Sequence, residues 1–190
     1  MSPDRSSQMH NTGIPVTGIP VLESPRLVLR GHVLDDFEAS ATLWAEPEVV
    51  RFISGTPSSR EESWSRFLRY AGHWHWLGFG YWVLECKETG AFLGEAGLAN
   101  YQRQMEPSLG ARPEAGWVLT PAAHGRGLAT EAMICITAWA DRHLDCSTTV
   151  CILDPDHQAS RRVAAKVGFK DIGQTVYKGQ PTLVMERRAS

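Results

Sequence analysis

The spacing of apolar and polar positions changes several times along the chain, and each change marks an element. After Pro25, Leu27 and Leu29 alternate with Val28 and Arg30, so Leu22 to Arg30 is expected to open the fold as a strand. Asp35-Asp36 places two acids at the start of a helix running through Trp44, and a second short helix is expected near Glu48 to Phe52. Ser58-Ser59 followed by Glu61-Glu62 is a capping signature, and Trp64, Phe67, Leu68 and Ala71 follow at the spacing of one helix face. Gly78 and Gly80 stop that helix. Tyr81 to Cys86 and Ala91 to Ala99 then form a hairpin about Thr89-Gly90. Residues 100 to 112 are polar and without period, hence a loop. Strands at 114–119 and 148–153 flank a long helix at 128–144; a helix at 158–167 and strands near 169–177 and 181–187 complete the pattern. Residues 1–20, rich in Ser, Pro, Gly and Thr, read as a flexible lead-in to a single domain over 21–188.

The most informative stretch is Ala115 to Ala132. A short apolar strand, Trp117-Val118-Leu119, is ended by Pro121, and Gly125-Arg126-Gly127 then opens directly into the helix at Leu128. The first amides of a helix have no internal partners and carry partial positive charge, which suits a phosphate group; Arg126 adds a full cation. The other reading is a plain strand-to-helix turn. A Walker loop is excluded because Gly127-Leu128-Ala129 lacks the Lys-Ser/Thr ending, and the dinucleotide fingerprint lacks its spaced glycines and later acid.

Composition narrows the setting. With 43% hydrophobic and 21% charged residues, the chain is ordinary for a globular protein, and a net charge of −2 offers no general field for nucleic acid. No apolar run is long enough for a bilayer, and the N-terminus lacks a signal-peptide pattern. Four cysteines without paired spacing point to reduced thiols. The expectation is a cytoplasmic protein with no nucleic-acid or membrane partner.

His124-Gly-Arg-Gly127-Leu-Ala129 resembles the acyl-CoA signature of the GNAT superfamily of N-acetyltransferases, differing at its first position, where Gln or Arg is usual. Leu22-Glu-Ser-Pro-Arg-Leu-Val-Leu-Arg30, Phe92-Leu-Gly-Glu-Ala-Gly-Leu98, Glu114-Ala-Gly-Trp117, Asp154-Pro-Asp-His-Gln-Ala-Ser160 and Lys166-Val-Gly-Phe169 are similar to the ribosomal-protein N-terminal acetyltransferase (RimJ/RimL) type. The resemblance spans residues 22 to about 187. It implies an α/β (α+β) domain whose mixed, twisted, mostly antiparallel sheet splays between two parallel strands, 114–119 and 148–153. It implies acetyl-CoA as cosubstrate, no metal, and a primary amine acceptor, either a small molecule or a peptide N-terminus, in a monomer or homodimer.

Carried onto this sequence, the family pattern puts the pantetheine arm against backbone groups of Val118 and Leu119, with an amide near Leu119 facing the thioester oxygen. The amides of Gly125, Arg126, Gly127, Leu128, Ala129 and Thr130 would hold the pyrophosphate. His124 stands where Gln or Arg is usual, and His157 replaces an asparagine that contacts the pantetheine arm. An imidazole there predicts CoA binding that weakens between about pH 7.5 and 5.5. Ser160 occupies the position of a serine proposed to protonate the leaving sulfur, whereas the tyrosine used by other members is here Ala164; a helix-start hydrogen bonder is the competing use of Ser160. Arg161, Arg162 and Lys166 are candidates for the ribose phosphate or plain solvated cations.

Glu114, five residues before Leu119, is a candidate general base, with a solvated strand-end acid as its alternative. Glu95, an acid among small residues in Gly94-Glu-Ala-Gly97, competes for the role and needs either a partner or a site. His73-Trp-His-Trp76 invites a metal reading, but residues two apart face different ways on a helix, so the imidazoles would not converge. Trp74 and Trp76 read as core aromatics or as an acceptor-pocket lining. A different class of function, a catalytically silent acyl-CoA-binding regulator, follows from the two substituted histidines and the missing tyrosine. An α-amine with pKa near 7.7 is about one-sixth neutral at pH 7, whereas a lysine is neutral in about one molecule per 2,500, so a weakly assisted site favours low-pKa amines.

Overall fold

The computed structural model describes residues 18–189; the part of the lead-in before Gly18 lies outside the described residues. Ile19 packs on the core, and the Pro20 carbonyl accepts the Trp82 indole N–H at 2.8 Å. The opening strand is two strands, β1 (Leu22–Glu23) and β2 (Leu27–Arg30), paired antiparallel around a turn at Pro25. Then follow α1 (Phe37–Ala45), α2 (Pro47–Val50), α3 (Arg60–Leu77), β3 (Tyr81–Cys86), β4 (Phe92–Ala99), β5 (Glu114–Leu119), α4 (Leu128–His143), β6 (Thr148–Leu153), α5 (Gln158–Val167), β7 (Lys170–Tyr177) and β8 (Gln180–Arg188). One eight-stranded sheet runs β1-β2-β3-β4-β5-β6-β8-β7. Every neighbouring pair is antiparallel except β5 and β6, which are parallel.

The main core lies between the sheet and α4. Leu128, Ala132, Met133, Ile136 and Ala140 of α4 form the buried stripe, packed with Leu27, Leu29, Trp82, Leu119, Cys151, Leu183 and Met185. On the opposite face, Leu43 and Trp44 of α1 and Val49 and Val50 of α2 bury against Val118. Both faces of β5 are therefore covered.

In α3 the buried face differs from the expected stripe. Phe67 is inside, but Trp64 and Leu68 are exposed, and the face turned inward carries Ser63, Phe67, Tyr70, His73 and Trp74. This alternative stripe has the same helical period. It prevails because three of its side chains find partners for their polar atoms: Tyr70 donates to Glu95, Trp74 to the Tyr81 carbonyl, and the His73 ring sits between the Arg69 and Asn100 carbonyls. The expected cap holds, with Ser59 Oγ accepting from Glu62 N–H and the Glu62 carboxylate accepting from Ser59 N–H.

Candidate active site

The parallel strands β5 and β6 meet only at one end. Glu114 pairs with Val150, and the Val150 amide donates to the Pro113 carbonyl at 3.0 Å; beyond that point the strands diverge into a wedge. Antiparallel ladders use alternate residues, and the Thr120 amide donates across to Leu93 of the β4 side. Thr120 and Val118 thus point their backbone groups at β4, while Trp117 and Leu119 point theirs into the wedge. This moves the predicted backbone edge from Val118 to Trp117 and Leu119. Val118 contributes only its side chain, on the α1–α2 face. One edge group is already engaged: the His124 Nε2–H donates to the Leu119 carbonyl at 2.9 Å, leaving the Leu119 amide and the Trp117 groups to face a ligand. The His124 Nδ1 lies 3.8 Å from Glu48.

At the mouth of the wedge, Gly125 and Gly127 adopt φ of +71° and +76°, where a side chain is strained, and Gly127 caps α4. The turn between β1 and β2 clamps this loop. Glu131 of α4 accepts from Ser24 Oγ (2.7 Å), the Arg26 amide (2.8 Å) and Arg26 Nε (2.7 Å), while Arg26 Nη1 donates to the Arg126 carbonyl at 3.0 Å. These long-range bonds present the helix start rigidly. A cleft of about 360 Å³ follows, lined by Trp117, Val118, Leu119, His124, Gly125, Gly127, Leu128, Ala129, Thr130, His157 and Ser160, with Arg162 and Lys166 at the rim. Arg126 is exposed and does not line it, nor does Arg161, which turns to the Pro155 carbonyl and Asp171. The cleft fits a long, diphosphate-bearing thioester: an open strand edge, a helix start beside left-handed glycines, and two cations.

Ser160 and His157 face each other in this cleft. The Trp117 indole N–H donates to Ser160 Oγ at 3.2 Å, and His157 Nε2 lies 3.5 Å from the same oxygen. His157 stacks on Phe52, ring centroids 4.6 Å apart and planes within 14°. Neither Trp117 nor Phe52 was legible as a neighbour of this pair; Trp117 acts through its indole N–H and Phe52 through its ring face, which hydrophobic patterning does not distinguish. Burial holds the His157 imidazole below its ordinary value, with His124 adding to the effect and Asp154 opposing it. The expected titration therefore moves down. A depressed value means the site's contribution is complete above about pH 6.5 and is lost as pH falls through the lower value. CoA affinity should stay level from pH 8 to about 6.5 and fall below it, and His157→Asn should flatten the fall. Calorimetric Kd values from pH 8 to 5 check this; identical profiles would remove His157 from the site.

Glu114 and Glu95 share the other face of the sheet, because both lie at positions whose side chains point away from α4. Glu114 is buried and gripped by Arg103, whose Nε and Nη2 donate to its two oxygens at 2.6 and 2.7 Å. Arg103 comes from the featureless 100–112 loop, which gave no sequence signal. Glu95 is fully buried and accepts from Trp44 Nε1 (2.9 Å) and the Tyr70 hydroxyl (2.8 Å), with His32 Nε2 at 3.3 Å. Burial pushes its carboxyl up, but the His32 and Trp44 contacts outweigh it and hold the group below the usual carboxylate range. These partners account for the acid among small residues; neither Glu95 nor Glu114 lines the cleft. His73 is tied to its two carbonyls and Trp74 packs in the core, while Trp76 is 80% exposed; among the described residues no group of His, Cys, Asp or Glu is arranged to hold a metal.

Comparison with known proteins agrees with this geometry. Residues 26–170 match the model of the acetyltransferase (GNAT) domain. The chain is 25% identical over 155 residues to YoaA, an uncharacterized N-acetyltransferase of Bacillus subtilis, covering 81% of this chain and 85% of YoaA. A putative GnaT-family acetyltransferase from Bordetella pertussis superposes with a TM-score of 0.78 at 28% identity, over 88% of this chain and 99% of that one. RimL, a ribosomal L7/L12 alpha-N-protein acetyltransferase solved with coenzyme A, shares the fold with a TM-score of 0.72 at 18% identity, over 89% and 98%. The wedge, its glycine loop and the matched span together place this chain in the GNAT family of acetyltransferases.

Proposed function

We propose that this acetyltransferase moves the acetyl group of acetyl-CoA to a primary amine by direct attack, with no acyl-enzyme. The observation that carries the reading is the wedge: one cleft joins an open β5 edge, the glycine loop and the Ser160–His157 pair. Acetyl-CoA supplies the acyl group as an activated thioester. The Trp117 and Leu119 backbone groups align the pantetheine arm, and the amides of Gly125 to Thr130 hold the pyrophosphate. The Leu119 amide faces the thioester oxygen as charge develops there. Glu114, directly or through a water, takes one proton from the ammonium; the amine nitrogen adds to the thioester carbon to give a tetrahedral intermediate, its nitrogen gives a second proton to solvent, and the C–S bond breaks to release the thiolate. Ser160, oriented by Trp117, hydrogen-bonds the leaving sulfur. A thiol of pKa about 8.5 leaves readily enough that a weak donor suffices.

The segments similar to the RimJ/RimL type favour an N-terminal α-amine, and RimL itself is a structural neighbour. Another neighbour is an aminoglycoside acetyltransferase, solved with paromomycin and acetyl-CoA, so the fold also accommodates small-molecule amines. The expected result is free thiol released from acetyl-CoA in the presence of a subset of a broad amine library, which would include N-terminal peptides, polyamines and aminosugars. No release with any amine would overturn the proposal.

A further inference from the structure

A second binding feature lies on the sheet face that carries Glu114, and the chain itself fills it. The Arg103 guanidinium is held by both oxygens of Glu114 and lies 4.6 Å from the Tyr101 ring centroid and 5.2 Å from that of Tyr177. Its Nη1 donates to the Tyr177 hydroxyl at 3.3 Å, and the Tyr101 hydroxyl donates to that of Tyr81 at 3.5 Å. A carboxylate, two aromatic faces and phenolic oxygens form a receptor for a cation.

Its position is set by two glycines. Gly97 and Gly116 pair in register across β4 and β5. A Cβ at Gly97 would come 2.4 Å from the Tyr81 Cα, and one at Gly116 would come 2.0 Å from the Tyr81 hydroxyl oxygen. Tyr81 therefore lies across the sheet with its hydroxyl over Gly116, the residue before Trp117, whose backbone enters the wedge. The cation receptor thus lies beside the Gly116–Trp117 stretch of β5, where the strand edge begins to open into the wedge.

We propose that Arg103 is an intramolecular stand-in for the acceptor, and that the acceptor is a primary alkylammonium that displaces it. The inference rests on the acetyl-transfer reading for its reaction but not for its binding site. Both Glu114 oxygens are occupied while Arg103 is in place, so neither can accept the amine's proton until it leaves. A primary ammonium brings the same charge and three donors to the same carboxylate. Arg103 is held there by side-chain contacts alone and is 20% exposed, so a soluble cation can compete with its guanidinium. The loop is anchored beyond it, by Met105 and Leu109 packed against Val150 and Val184 and by Arg112 bonded to Glu186 and the Leu109 carbonyl. Before it, Gln102 sits at φ of +48°, a conformation costly for a residue with a side chain. An anionic group beside the amine would oppose Glu114, so the favoured acceptors have uncharged or cationic flanks.

The test measures cation binding by calorimetry in the presence of saturating CoA, using methylguanidinium and n-butylammonium, with n-pentanol as the neutral control. Arg103→Ala should bind both cations about tenfold or more tighter than the unaltered protein and gain nothing for the alcohol, and adding Glu114→Gln should remove the gain. With acetyl-CoA, KM for n-butylamine should fall by a similar factor while kcat changes little. Arg103→Gln, which keeps a polar side chain in the loop, serves as the second variant. Cation affinities equal to those of the unaltered protein in both variants would overturn the proposal, as would a kcat loss matching that of Glu114→Gln; Arg103 would then be a positioning residue for Glu114. The binding arms remain readable even if no amine is acetylated, so failure of the acetyl-transfer reading is separately visible.

Discussion

Gly127→Trp is expected to weaken coenzyme A binding by on the order of 100-fold, about 2.7 kcal/mol. Gly127 lines the cleft and caps α4, and a Cβ there would meet nothing nearer than Arg26 Nη2 at 3.8 Å. The Cβ itself fits, and it is the indole beyond it that would cover the amides proposed to hold the pyrophosphate. A separate cost arises because φ is +76°, which burdens any side chain by roughly 1–2 kcal/mol. Gly127→Ala carries the same backbone cost without the bulk and divides the two effects. Its CoA affinity should stay within about fivefold of the unaltered protein. Equal losses in both variants would assign the effect to the backbone, and unchanged affinity in a folded Gly127→Trp protein would remove the loop from the binding site.

Glu114→Gln should lower turnover roughly 100-fold or more while CoA affinity is unchanged, the scale expected for a positioned base. The substitution also breaks the Arg103 pair. Removing one partner of a fully buried pair costs about 3–5 kcal/mol, but the Arg103 side chain is 20% exposed and can reach water, so the loss of stability should be smaller. Kinetics taken well below the melting temperature of both proteins keep the two effects apart. Near-normal turnover would move proton removal to water, since the structure leaves Glu95 with its oxygens occupied behind Trp44 and Tyr70.

Much of the glycine loop was legible because its conformation is local. Gly125 and Gly127 need left-handed backbone, Pro121 stops a strand, and an apolar period of 3.6 starts at Leu128; these properties belong to neighbouring residues. Ser160 and His157 were legible for the same reason, being three residues apart at a helix start. Arg103 was not. Its partners are Glu114, eleven residues away, and Tyr177, seventy-four away, and a polar loop of thirteen residues shows no period. The clamp of Ser24 and Arg26 on Glu131 was hidden likewise, since it closes over more than a hundred residues.

By itself the sequence determined the order and kind of the elements, the glycine loop at the start of α4 and the family, because propensity, capping and motif spacing act within a few residues. Tertiary structure decided three further things. It chose the Tyr70–Trp74 stripe of α3 over the Trp64–Leu68 stripe, since only buried partners such as Glu95 distinguish two faces of equal period. It set which backbone groups of β5 face the wedge, because ladder alternation is fixed by the partner strand's register and not by the strand's own residues. And it gave the two acids different surroundings, Glu95 tied down by Trp44, Tyr70 and His32, Glu114 paired with a partly exposed arginine. Burial and charge pairing depend on residues brought together from distant parts of the chain.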